Sequence, residues 1–149
     1  MDDLEVLADD LMARGSEVVE VLEAAGLEVA LARGEGDYCQ MVPVQGLTFA
    51  FGGALTEDVA YAERFRVARD AMVDQGWEVV VEGEYARRGE RPHPYVELER
   101  EDHRLSLDLT ALEGSDALVF GLTRDDDCVR VPGDGVQLPE DLEEVVLVE

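Results

Sequence analysis

The stretch Tyr95–Leu112, YVELEREDHRLSLDLTAL, decides the fold. Apolar and polar residues alternate through YVELERE and again through RLSLDLTAL. A period of two belongs to strands with one buried and one wet face. Only Asp102 and His103 separate the runs, so the two strands are expected to form a hairpin turning at Glu101, Asp102 and His103.

Working outward, DALVFGLTR (116–124) predicts a further strand, DDD (125–127) a turn, and CVRV (128–131) a brief pairing beyond it. Upstream, WEVVVEGEY (77–85) predicts a strand, and ARRGERPHP (86–94), with a glycine and two prolines, a loop. Glu57–Gln75 carries Tyr61, Phe65, Ala68 and Met72 on one helical stripe, with Thr56 as the expected N-cap and Gly76 as the stop. Earlier still, GLTFAFGGAL (46–55) puts Leu47, Phe49 and Phe51 on one face of a strand. Leu27, Val29 and Leu31 alternate likewise; RGEG (33–36) reads as a bulge or turn, after which the strand resumes through Tyr38–Met41. Residues 2–25 repeat Leu4, Leu7, Leu11, Val18 and Leu22 at spacings of three and four, a helix that Gly26 ends. Asp10 and Arg14 are expected to pair one turn apart.

The reading is a single α+β domain over 1–149, an antiparallel sheet of about five to six strands with two helices on one face and water on the other. Its core is expected within about 4–132. The remainder, 133–149, reads as an acidic tail or a short helix carrying Leu138, Leu142, Val145 and Val146.

The formal net charge is −24, from 36 acidic residues against 12 arginines. Such a surface repels a phosphate backbone and an anionic membrane, so nucleic acid is excluded as a partner and a basic one is compatible. A solvated acidic coat that keeps the chain soluble is the plain reading; a surface that mimics DNA or neutralises a toxin is the sharper one. The chain has no Lys, Asn or Ile, which points to a GC-rich genome and makes part of the charge compositional. No apolar run reaches the roughly 18–20 residues of a bilayer span. The start, MDDLEVLADDL, is not itself a signal peptide.

Motifs for chemistry are few. No nucleophile elbow, Walker loop or dinucleotide fingerprint occurs. His93 and His103 fall in a loop and at a turn, where exposed histidines are expected, and with two distant cysteines they do not compose a zinc site. Asp125, Asp126, Asp127 and Asp134 invite a calcium reading but lack the EF-hand order, so a solvated turn is preferred. No catalytic residue, metal or cofactor is expected. Tyr38, Trp77 and Tyr95 are candidates to face a ligand, against the commoner role of aromatics in cores and on sheet faces. Cys39 and Cys128 admit three readings: a nucleophile, for which no histidine lies near, two free thiols, or a disulfide.

The order of elements resembles the small lipoproteins exported by streptomycetes, mycobacteria and other actinobacteria. The matching pieces are AAGLEVALARGEGDYC (24–39), AERFRVARDAMVDQGWEVVVEG (62–83), LSLDLTALEGSDALVFGLT (105–123) and DDDCVRVP (125–132), and the likeness spans about 4–132. It implies that Cys39 and Cys128 are joined, tying an early strand to the last one. It also implies an extracytoplasmic setting, and the first reading is accordingly a non-enzymatic domain that binds a protein partner or small ligand on the open sheet face or in the groove beside the second helix. Its membrane link would be a lipid anchor outside this chain, and its leader would lie upstream of Met1. The alternative is an intracellular acidic inhibitor, such as an immunity protein or a phage-encoded mimic of DNA.

Overall fold

A computed structural model describes residues 2–40, 45–56, 61–85, 93–112, 115–124, 128–131 and 138–148. The hairpin at its centre forms as its alternation requires: β4 (His93–Arg100) pairs antiparallel with β5 (His103–Leu112). Arg100 faces His103 across a two-residue turn, and Glu101 takes the left-handed conformation there, with φ 56°. His103 is therefore the first residue of a strand and shares the inward face of Leu105 and Leu107. It is 5% exposed, so the expected exposed histidine is instead buried.

The other strands extend this pair in both directions. They are β1 (Val29–Gln40), β2 (Gln45–Leu55), β3 (Glu78–Tyr85), β6 (Ser115–Arg124), β7 (Val129–Val131) and β8 (Glu144–Val148). Their order is β3-β4-β5-β6-β2-β1-β8, and every pairing is antiparallel. β6 pairs with Phe51–Ala54 of β2, while the short β7 pairs with Gln45–Leu47 of the same strand. Among the described residues the sheet thus has eight strands, more than expected, and the class is α+β as read.

Two helices, α1 (Asp2–Ala24) and α2 (Tyr61–Asp74), cover one face. Leu4, Leu11, Leu22 and Met72 meet Phe49, Phe51, Leu98 and Leu107 in a core from which water is excluded. Each such side chain contributes about 1.5–3 kcal/mol on burial. Both helices end alike. The Leu27 N–H donates to the Leu22 carbonyl and the Trp77 N–H to that of Met72, while Gly26 and Gly76 sit at φ 87° and 98°. This is the Schellman arrangement, and the residue after each glycine returns to the core. Residues 57–60 lie outside the described residues, so the expected cap at Thr56 is not settled; the Arg64 guanidinium donates to the Thr56 carbonyl and hydroxyl.

Two expectations are corrected by packing. RGEG is neither bulge nor turn, because β1 runs straight through it. A Cβ on Gly34 would lie 2.3 Å from the Phe49 ring, and one on Gly36 would lie 2.5 Å from the Leu142 carbonyl oxygen, so both glycines serve close approach. The C-terminal segment is neither a loose tail nor a helix carrying Val145 and Val146. A single 3-10 turn, Glu140–Leu142, leads into β8, which pairs with Ala32–Glu35 of β1. Leu142 is buried, so the core extends beyond residue 132. Among the described residues, no helix is long and apolar enough to cross a membrane.

Candidate functional site

Cys39 and Cys128 come together. Their sulfurs are 2.11 Å apart and their Cα atoms 5.8 Å, a disulfide's separation. Cys39 is the residue passed over where the β1–β2 register shifts between Tyr38 and Gln40, and Cys128 immediately precedes β7. The pair joins the two strands that flank the start of β2, and both residues are exposed. Next to it, the Tyr38 hydroxyl accepts the Leu138 N–H at 3.0 Å. Tyr38 therefore fastens the C-terminal segment rather than presenting a free hydroxyl to a ligand.

His103 makes the most buried polar contact on the helical side. Its Nε2 lies 2.7 Å from Asp10 Oδ2, which also accepts from Arg124 Nη1 at 3.4 Å. The carboxylate accepts, so the imidazole donates through Nε2. The expected Asp10–Arg14 pair gives way to these contacts, and Arg14 turns to Glu17 at 2.8 Å and Glu101 at 3.3 Å. An imidazole oriented by a carboxylate is half of a nucleophile-activating arrangement. Here the remaining nitrogen, Nδ1, is buried and without a partner, so it cannot take a proton from a substrate or an incoming nucleophile. The cluster ties α1 to the β4–β5 turn and to β6. His103→Ala is expected to cost about 1–3 kcal/mol, because it strips the better hydrogen bond from Asp10 and leaves a small void. Urea denaturation at neutral pH checks this, and a variant as stable as the parent removes the tie.

Beside this cluster, between the C-terminal halves of α1 and α2 and the β4–β5 turn, lies a cleft of about 290 Å³. Trp77, Val18 and Val21 form its apolar wall, with Arg14, Arg100 and Glu20 around it. Trp77 is 4% exposed and belongs mostly to the core.

The open sheet face has two textures. Over β4 and β5 it carries Glu97, Glu99 and Arg104, with Arg104 bonded to Glu99 and 3.6 Å from Glu97. Over β2, β6 and β1 it carries Ala50, Gly52, Ala54, Val119 and Leu31, lining a shallow trough of about 380 Å³. Gly121 of β6 faces Gly52 directly, so the sheet backbone floors this trough. Arg33 at its rim is 2.8 Å from Glu35 and 3.8 Å from Glu144.

The three aromatics do not converge. Tyr38 opposes Leu47 in the β1–β2 ladder and so lies on the helical face. Tyr95 opposes Asp108, next to the inward Val96–Leu107 pair, and so lies on the open face. Trp77 sits by the helix ends. Asp125, Asp126, Asp127, Asp134 and the side chain of His93 lie outside the described residues; among the described ones no three metal-ligating side chains gather. No protein-family model matches the chain, and neither does any curated protein or solved structure.

Proposed function

We propose that the protein is a non-enzymatic, extracytoplasmic binding domain that receives a basic protein partner on its open sheet face. The observation that carries the reading is the trough along β2. A sheet face left to water ordinarily alternates to polar side chains, as β4 and β5 do. Ala50, Gly52, Ala54, Val119 and the 41% exposed Leu31 break that rule over one contiguous area, and such a patch marks a contact surface. The surrounding charge of −24 selects a basic partner and speeds its approach.

The extracytoplasmic setting is supported by the Cys39–Cys128 pairing, since disulfides persist in oxidising compartments. The charge equally favours an intracellular acidic inhibitor. The two readings separate on whether both thiols are alkylated in unreduced protein from the native host, which would place the chain in the cytoplasm.

The face is tested by Ala54→Arg, which plants a bulky cation in the trough. Stability is expected to change by less than about 0.5–1 kcal/mol, because the site is on the wet face. Immobilised parent protein should retain a partner from the cell-envelope fraction at 150 mM salt and release it at 500 mM, where screening shortens to below about 8 Å. The variant should retain none of it. Equal retention by parent and variant would show that the partner docks elsewhere.

A further inference from the structure

From the charges left over in the cleft between the helices, we infer a second binding site, for a small zwitterion with an apolar body, such as a free α-amino acid. Among the described arginines Arg64 donates to Thr56 and Arg66 stands in solvent on α2, so what distinguishes Arg100 is that it is half-buried and still unpartnered. Arg14, Arg33, Arg69, Arg104 and Arg124 each have at least one acidic partner. Arg100, half-buried on the cleft wall, has neither a hydrogen bond nor an ion pair among the described residues.

Arg100 is not occupied in capping α2 either. Its Nε would come within 3.7 Å of a Cβ at Gly76, yet the terminal carbonyls of Met72 and Val73 already accept from Trp77 and Gly76. Glu20, on the α1 side of the same cleft, is likewise without a partner within 4.0 Å among the described residues. The cleft therefore holds one free cation and one free anion that do not reach each other. Val18, Val21 and Trp77 are the apolar residues of the lining.

This combination selects by charge. A plain anion would meet Arg100 but also Glu20 and the field of −24. A plain cation would leave Arg100 unmatched. A ligand with no net charge crosses the field freely, gives its carboxylate to the guanidinium and its ammonium to Glu20, and lays its side chain over the half-buried Val21, beside the edge of the indole. Arg14, 14% exposed and held by Glu17 and Glu101, backs the site as a fixed wall. The volume of about 290 Å³ suits one amino acid and excludes a folded peptide. The site is separate from the sheet-face trough, and its failure would leave the partner-binding reading untouched.

Trp77 is the single tryptophan of the chain, so its emission reports on the cleft alone. The probe is L-leucine, compared with 4-methylpentanoate, which lacks the ammonium, and 3-methylbutylamine, which lacks the carboxylate. Equilibrium dialysis of radiolabelled leucine runs in parallel, so that binding to which the indole is blind is still seen. Leucine should bind saturably, and each half-analogue about tenfold more weakly or worse. Arg100→Gln and Glu20→Gln should each raise the leucine Kd by about tenfold and leave the circular-dichroism melting curve in place. Absence of saturable leucine binding by both methods overturns the inference. So does unchanged affinity in Arg100→Gln, or an affinity for 4-methylpentanoate equal to that for leucine.

Discussion

Reducing the Cys39–Cys128 bond is expected to remove about 4–5 kcal/mol of folding stability. The two residues are 89 positions apart, and cross-linking so long a loop withdraws more freedom from the unfolded chain than a short one does. For a domain of this size that corresponds to roughly a 10–20 °C drop in melting temperature. The local consequence should come first. β7 has three ladder pairs to β2 and no partner on its other edge among the described residues. Without the bond, Val129–Val131 should lose amide protection while the β4–β5 hairpin keeps it. Both cysteines are exposed, so a reductant reaches them without prior unfolding. Urea melts of the parent with and without reductant, and of Cys39→Ser/Cys128→Ser, measure the effect. A reduced protein within about 1 kcal/mol of the oxidised one would mean that the native fold does not depend on the bond.

What could be read from residues alone was whatever is decided locally. The alternation of Tyr95–Leu112, the stripes of both helices and their glycine stops are near-neighbour properties, and the structure keeps them. The misreadings share one cause, that a distant element decided the outcome. A glycine needed for a left-handed turn and one needed because a ring presses on it look the same in sequence. Only Phe49 and Leu142, brought in from elsewhere, identify Gly34 and Gly36 as the second kind. The sequence puts His103 in the turn, whereas it opens the strand, and a shift of one residue moves a side chain to the other face. Val145 and Val146 fit a helical spacing, but the exposed edge of β1 offered strand pairing instead. The cleft was legible only as a neighbourhood beside the second helix. Which charges it leaves unpaired depends on how α1 and the end of β4 are brought together, and no local pattern shows that.

The packing of α1 on the sheet supplies the second large effect. Phe51 is 1% exposed, its ring centroid is 6.3 Å from that of Phe120, and its other side lies against Gly15 of α1. Phe51→Ala is expected to cost about 3–5 kcal/mol, since a cavity opens between a helix and a sheet that are each too rigid to close it. The same contact reverses a helix rule. In an exposed helix interior, Gly→Ala stabilises by about 0.5–1 kcal/mol. At Gly15 the new methyl would stand 2.5–2.6 Å from three carbons of the Phe51 ring, which Phe120 flanks on its far side. Gly15→Ala should therefore destabilise by about 1–2 kcal/mol net, overpacking outweighing propensity. Phe51→Leu provides the control, because a smaller side chain vacates the space the methyl needs. Combined with Gly15→Ala it should be less harmful than the sum of the two single changes, by about 1 kcal/mol. Denaturant midpoints for the four proteins measure this coupling. If Gly15→Ala is stabilising, or if the two changes simply add, then α1 does not sit on Phe51 at this distance and its seating on the sheet has to be redrawn.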